Sequence, residues 1–313
     1  MTTPVDGATL TQSAALRPPN RRATARARKS ERFVHGWHSF RQSRSGVAGL
    51  AFLVLVVLGA CFAPWIAHES LLDVTLVDND LNEPPTWENP LGTDPLGRSV
   101  LVMLLWGSRI SLLVGVAATI MCMFLGTLIG ILAGHFTGWR SAIIMRFIDF
   151  FLVLPSLVLA IVLSTVLQRG MWTIIIALGV TSWAGTARLV RAQTLTIEAR
   201  SYIERSIALG ASHRHIISRH VLPGVMPFIM ASTTLTVGSA IIAESTLSFL
   251  GLGDPSQVSW GSMLKLSLDS GAATAGYWWF VLPPGIAIVA VVLAFTLVGR
   301  TIETMINPTL RGR

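Results

Sequence analysis

The stretch Tyr202–Pro223, YIERSIALGASHRHIISRHVLP, is polar and basic, yet it lies between two apolar runs at about 171–187 and 223–250. A helix needs about 20 apolar residues to cross a hydrocarbon core ~30 Å thick, and these flanks approach or exceed that length. The stretch itself carries the signals of an ordered element. Ile203 and Ile207 fall on one helical face, and Arg200 and Glu204 are spaced as a weakly favourable i, i+4 pair. Gly210 is a helix-terminating glycine. Ser212 is a cap for a second helix, whose apolar face is Ile216, Ile217 and Val221. Pro223 then leads into the next apolar run. Helix, glycine, cap, helix, proline predicts a compact bent element within a polar loop at 188–222. Such an element between two membrane spans is built to dock on a soluble partner.

The rest of the chain supports that setting. Of 313 residues 52% are hydrophobic and 13% charged, with mean hydropathy +0.62, whereas a soluble domain carries roughly a quarter charged residues. The composition predicts an all-α polytopic membrane protein. Six runs, at about 47–67, 110–133, 143–167, 171–187, 223–250 and 278–299, predict six transmembrane helices. The fourth is short and contains Gly179 and Gly185; the sixth carries Pro283-Pro284 near its start. Residues 1–46 form a Pro-, Ala- and Arg-rich tail expected to be disordered, with a helical stretch at Phe33–Phe40. Its cluster Arg21, Arg22, Arg26, Arg28, Lys29 and Arg32 suits a topology signal at a lipid surface. This tail is too long for a signal peptide's basic region, so the run at 47–67 is expected to be an uncleaved anchor.

Charge placement orients the spans. With the N-terminus inside, the inner segments hold nine Lys and Arg in the tail, two at Arg140 and Arg146, six from Arg188 to Arg219 and three from Arg300 onward. Of the 24 in the chain, only Arg98, Arg109, Arg169 and Lys265 fall outside. Glu69, Asp73, Asp78, Asp80, Glu83, Glu88 and Asp94 all lie in one outer loop, 68–109. Both termini, including the tail 301–313, are therefore expected in the cytoplasm. The same asymmetry accounts for the pI near 10.9 without nucleic acid as a partner; the polybasic tail has membrane lipid instead.

Within the outer loop, Asp94 with Pro95 predicts a helix start. Val100, Leu101, Leu104 and Leu105 then form the apolar stripe of a short surface helix. Residues 251–277 read as a turn-rich loop that, with the acidic loop, caps the outer side. Gly126, Gly130 and Gly134 recur at every fourth position, a spacing that lets another helix approach closely in lipid. The fifth run is dense in small and hydroxyl residues, among them Ser232, Thr233, Thr234, Thr236 and Ser239, which suit an interface or a polar path. Two acids lie within spans. Asp149 has Arg146 as an i, i+3 partner. Glu244 lies deeper, where a charge needs a partner, a wet cavity or a proton. Ser232, Thr236, Glu244 and Ser245 are the candidate pathway or gating residues. Cys61 and Cys122 are expected to be small buried hydrophobes. His213, His215 and His220 match no standard metal spacing, so no metal site is expected; they read as a solvated face.

The chain lacks GxxxxGK[ST], so any energy from ATP must come through a partner. No nucleophile and base stand at matching depth, and no catalytic residues are assigned. A stand-alone secondary transporter, the alternative of a different class, would predict inverted repeats or a line of intramembrane acids.

The loop resembles the EAA loop of ATP-binding-cassette importer permeases. Glu204, Gly210 six residues on, and Leu222-Pro223 keep that spacing, while Arg205 and Ser206 replace two alanines and His220 takes a hydrophobic place. NPLGTDPLGRSVL at Asn89–Leu101 followed by SRISLLVG, and AESTLSFLGLGDP at Ala243–Pro255 followed by SWGSML, resemble the C-type subunit of dipeptide and oligopeptide permeases. The resemblance covers most of the chain after residue 46. It implies a type I importer permease fold in a bacterial plasma membrane, and a non-catalytic subunit that pairs with a second permease. It also implies two cytoplasmic ATPase subunits that bind ATP and Mg, none being bound by this chain, and an extracytoplasmic substrate-binding protein. Glu204, Arg205, Ala208, Gly210 and Ser212 would contact the ATPase. Di- or oligopeptides are the implied cargo; nickel and haem are carried by relatives of the same type.

Overall fold

The computed structural model describes residues 40–306; the basic cluster of the N-terminal tail and the last residues of the C-terminal tail lie outside the described residues. Among those described, the regular structure is helical, with one isolated bridge, Thr93 to Ser99, and long irregular stretches at 73–99 and 250–259. Five helices are long and apolar enough to cross a membrane: α1 (Arg44–Ile66), α2 (Val100–His135), α5 (Met171–Glu198), α7 (His213–Phe249) and α10 (Trp278–Ile306). The helices α3 (Trp139–Val153) and α4 (Ser156–Val166) are together long and apolar enough for a sixth crossing, but they are bent by 83° at a short break, the form of a broken span or a re-entrant loop. The run at 143–167 is thus a bent pair rather than one straight span. Pro155 causes the break. It disfavours helical backbone at Leu154, which is extended, and supplies no amide hydrogen.

The α2 helix has 36 residues, about 54 Å at ~1.5 Å per residue, and it organises the bundle. Its glycine stripe faces α5. A Cβ added at Gly126 would lie 2.6 Å from Thr186 Cβ, one at Gly130 2.6 Å from the Ala187 carbonyl oxygen, and one at Gly134 2.7 Å from Thr194 Cβ. The two backbones therefore meet with nothing larger than hydrogen between them, the close approach that drives helix association in lipid. On the other side of the bundle α1 packs on α10. Gly46 and Gly49 make room for Thr301 and the Ala294 carbonyl, and Ser43, the cap of α1, bonds Thr301 Oγ1 at 3.1 Å.

The sequence expectations need four corrections. First, the helix expected from Asp94 starts instead at Val100 and is continuous with the second span. Asp94 is consumed in a turn. Its Oδ1 accepts from the amides of Leu96 and Arg98 and its Oδ2 from Arg98 Nε at 2.9 Å and Nη2 at 2.7 Å. Second, α5 runs to Glu198, past Arg188 and Arg191, because their cations find partners on neighbouring helices: Asp149 for Arg188 and the Ala133 carbonyl for Arg191. The partner of Asp149 is thus Arg188 rather than Arg146. Third, the turn-rich outer loop holds a helix, α8 (Trp260–Asp269), opened by a reciprocal capping box between Ser259 and Ser262. A single turn, α9 (Ala272–Ala275), follows it. Fourth, Cys61 is exposed on α1, while Cys122 is buried.

The glycine contact predicts a sharp contrast. Gly130→Val is expected to lower the unfolding temperature of the detergent-solubilised protein by about 5 °C or more, since overpacking costs about 1–3 kcal/mol. Gly185→Ala, on the same α5 but with nothing within 4 Å of the added Cβ, is expected to leave it unchanged. Equal melting of Gly130→Val and wild type would show that α2 and α5 can separate at no cost.

Candidate functional site

The polar element between α5 and α7 folds as a bent knuckle. Its first helix is α6 (Ser201–Ala208). At its end the Ala211 amide donates to the Ser206 carbonyl at 3.0 Å and the Gly210 amide to Ile207 at 2.9 Å, with Gly210 at φ +84°. This is a Schellman closure, and it needs the left-handed backbone that glycine adopts freely. Ser212 then caps α7 by accepting from the His215 amide. The helix that follows does not stop at Pro223; it runs through a π-helical segment, Ile217–Val221, straight into the membrane span. Pro223 is tolerated there because it stands at the start of the regular α-helix.

Ile203, Ile216 and Val221 are buried against Ile131, Val190, Ile197 and Val225, which fixes the knuckle to the bundle. Ile207 does not share that burial; it is 56% exposed, and Leu209 beside it is 89% exposed. Glu204, Arg205, Ala208, Gly210 and Ser212 are all exposed on the same projection. A polar clamp anchors the base. His135 at the end of α2 bonds Glu198 at the end of α5 at 2.6 Å through Nδ1, and bonds His213 at the start of α7 at 2.8 Å through Nε2. Three helices thus meet at the knuckle. His213 therefore belongs to an interhelix contact, while His215 and His220 face each other with Tyr202 alongside.

At the far end of α2 and α7 lies a buried carboxylate. Glu244 has no exposed surface. Its Oε2 accepts from Ser111 of α2 at 3.0 Å and from Ser245 at 3.3 Å, and its Oε1 from Ser248 at 2.8 Å. Ser111 Oγ itself accepts the Trp260 amide, so its own hydrogen is directed to Glu244. Trp260 is held further by a bond from its Nε1 to the Leu104 carbonyl. A Cβ at Gly261 would collide with the Ser245 carbonyl, and one at Gly253 would lie 2.8 Å from Ser248 Oγ. The stretch Ala243–Leu264 is therefore one construction around the Glu244 carboxylate, joining α2, α7 and α8.

The four candidate pathway residues are consequently not together. Glu244 and Ser245 sit in this buried cluster. Thr236 lines a separate cavity of about 140 Å³ among α2, α4, α5 and α7, with Thr119, Ser156, Ser182 and Ser239. Ser232 lies one turn further along and accepts the Thr236 hydroxyl on its carbonyl. Most hydroxyls of α7 bond back to carbonyls three or four residues earlier, as Thr233, Thr234 and Thr246 do. Internal satisfaction of this kind is what lipid demands of polar groups.

The same end of the bundle opens into a pocket of about 950 Å³ between the turn after α1, the start of α2 and the approach to α8. Its charged lining is Glu69, Asp73, Asp254, Arg98 and Arg109. Asp73 lies below the ordinary carboxylate range because the Thr75 amide and hydroxyl both donate to it. For Asp254 burial pushes upward, but the Ser256 hydroxyl and amide and the Met171 amide together outweigh it and hold the group low. The loop beneath is locked by Thr93, which is fully buried and bonds the Asp80 carbonyl, and by the Asp94–Arg98 pair.

Comparison with known proteins decides the family. Residues 126–312 match the family described as binding-protein-dependent transport system inner membrane component. Residues 33–85 match the N-terminal TM domain of oligopeptide transport permease C. The chain belongs to this permease family. The permease is 36% identical over 273 residues to the oligopeptide transport system permease protein OppC of Bacillus subtilis (strain 168), covering 87% of this chain and 88% of that one. It is 36% identical over 294 residues to the dipeptide transport system permease protein DppC of the same organism, covering 93% and 91%. The glutathione transport system permease protein GsiD of Pectobacterium atrosepticum is 34% identical over 277 residues, covering 88% and 91%. Among solved structures, a chain of the MetNI methionine ABC transporter in an inward-facing conformation superposes with TM-score 0.54 at 18% identity, covering 65% of this chain and 96% of that one. The fold is that of an ABC importer permease, and these relatives are permeases of oligopeptide, dipeptide and glutathione transport systems.

Sequence reasoning missed Ser111, Trp260, His135 and Glu198 as parts of these sites. The first two partner a residue more than a hundred positions away, and no local spacing announces them. The signal available for the clamp was a histidine and a glutamate, each at the end of a span. Around Glu244 the expected outcome of mutation is graded. Glu244→Gln keeps an acceptor and the shape, and is expected to lower thermal stability in detergent modestly. Glu244→Leu leaves the hydroxyls of Ser111, Ser245 and Ser248 without their acceptor and is expected to cost about 2–4 kcal/mol. Indistinguishable melting of wild type and the leucine variant would mean that the cluster contributes nothing.

Proposed function

We propose that this permease is the membrane subunit of an ATP-driven, binding-protein-dependent importer of di- or oligopeptides in a bacterial plasma membrane. In this reading it pairs with a second homologous permease to enclose the pathway. The knuckle 204–212 docks into a cleft of a cytoplasmic ATPase, and two such subunits or domains supply the energy. The chain itself does no catalysis, and ATP and Mg belong to those partners. Both termini face the cytoplasm in this reading, which the concentration of arginines in the tails and on the knuckle's side of the spans supports. An extracytoplasmic binding protein delivers cargo to the pocketed end. The peptide relatives support the cargo class.

One observation carries the coupling assignment. Ile207 and Leu209 are large apolar side chains left exposed on an element whose base is rigidly anchored. An exposed apolar projection on a fixed support is the form of a docking surface, and its ordered base transmits force where a flexible loop would absorb it. Movement of the docked knuckle would act along α7, which is one continuous helix from the knuckle to the Glu244 cluster. Closing and opening of the ATPase pair would in this way change which side of the bundle is open.

The test uses a residue with no part in the bundle. Leu209→Asp touches no core and is expected to leave the protein abundant in the membrane while cutting uptake by the assembled importer about tenfold or more. Gly210→Asn, which tolerates the left-handed backbone, is expected to fold normally and to impair uptake less. Undiminished uptake by Leu209→Asp would sink the docking assignment.

A further inference from the structure

The large outer pocket contains charges of both signs, and most of them are already engaged. Arg98 is spent on Asp94. Asp73 holds the Thr75 amide and hydroxyl, and Asp254 holds Ser256 and the Met171 amide. Asp73 and Asp254 thus have hydrogen-bond donors but no ion pair, and two charged groups remain with neither a hydrogen bond nor an ion pair among the described residues, one of each sign: Glu69 and Arg109. Arg109 is nonetheless held in place. Its guanidinium carbon lies 4.9 Å from the centre of the Trp106 ring, and Trp106 Nε1 is bonded to the Ala67 carbonyl at 3.1 Å. Stacking of this kind leaves the guanidinium N–H groups at the edge free to bind a carboxylate. The lining also includes the apolar side chains of Leu72, Leu76, Met103 and Leu266, together with Ser256, Gln257 and Ser262. The volume falls within the ~300–1,000 Å³ typical of small-molecule sites.

A pocket with one available cation, one available anion and apolar side chains in its lining suits a zwitterion with an apolar body. A purely anionic headgroup would meet three carboxylates against two arginines, one of them already paired. A purely cationic ligand would leave Arg109 unmatched. We infer that this pocket receives a short peptide with both termini free, its carboxylate at Arg109 and its ammonium group at Glu69, on the way from the binding protein into the bundle. The inference rests on the peptide-importer reading and assigns to the permease itself a recognition of the charged ends of its cargo.

The experiment is uptake by the complete importer, reconstituted with its own binding protein and ATPase. The probes are labelled trialanine, its C-terminal amide and its N-acetyl form. Because the binding protein is the same throughout, a change of preference between variants reports the permease. Arg109→Gln is expected to lower the ratio of free-acid to amide uptake about fivefold, the scale of one charge-assisted hydrogen bond, and Arg109→Lys is expected to restore part of it. Glu69→Gln, at an exposed surface turn, is expected to lower the ratio of free-amine to N-acetyl uptake similarly. Robust uptake with both ratios unchanged would overturn the pocket's role while leaving the peptide reading intact. No uptake of any of the three by the wild-type complex would overturn both. Should Arg109→Gln fail to accumulate, the Glu69 arm decides alone.

Discussion

The contact between the α2 and α5 backbones at Gly126, Gly130 and Gly134 is the constraint on which the rest of the architecture depends. In lipid, apolar side chains gain little by leaving one apolar environment for another, so helices associate through close packing. Three glycines on one face allow the carbonyls of Trp183, Ala187 and Arg191 to approach α2 within about the reach of a single absent methyl group. With that distance fixed, the ends of both helices are fixed as well. His135 then meets Glu198, Arg191 reaches the Ala133 carbonyl, and the start of α7 is clamped through His213. At the other end the same α2 presents Ser111 to Glu244 and Trp106 to the turn after α1.

Glu244 illustrates how such a bundle tolerates a carboxyl group inside its membrane helices. Removing it from water is costly, and a mid-membrane acid ordinarily signals a transport path. Here the surroundings supply donors instead: three serine hydroxyls, one of them directed by the Trp260 amide. The cluster links two long helices and the helix α8, so it acts as a polar tie at a place where apolar packing alone would not specify the register of α2 against α7. The hydroxyl-lined cavity lies elsewhere, at Thr119, Ser182 and Thr236.

Some of this was legible in the sequence because the residue type is itself the structural statement. Glycines at every fourth position leave no alternative to close approach, and Gly210 between two amphipathic turns can only end a helix. Other features depend on neighbours that sequence spacing does not reveal. Pro155 in an apolar run is compatible with a mild kink or a full break, and packing of α4 along α5 settles it as a bend of 83°. Helical spacing offers Arg146 to Asp149, but the facing of α3 towards α5 gives it Arg188. Asp94 has every mark of a helix cap; four donors from Leu96 and Arg98 engage it first. His135 reaches Glu198 and His213 across 63 and 78 residues of chain, which no local pattern records.

The length of α7 joins the two ends into one mechanical unit. It spans 37 residues, about 55 Å at ~1.5 Å per residue, from the Ser212 cap to the Glu244 cluster. Its irregularities lie together where the helix leaves the knuckle: the π-helical segment at Ile217–Val221, and Pro227 inside the α-helix that follows. A π segment has an extra residue in the turn, and an interior proline removes a backbone hydrogen bond. On the proposed reading, a force on the knuckle would therefore bend α7 first between Ile217 and Pro227. The glycine contact holds α2 and α5 together during such a movement, and the Glu244 tie, which bonds Ser111 of α2 and through it Trp260 of α8, holds the far ends of α2, α7 and α8 together. On the proposed reading, relative motion of α7 and α2 is then confined to the stretch between the knuckle and that tie, where the hydroxyl-lined cavity lies.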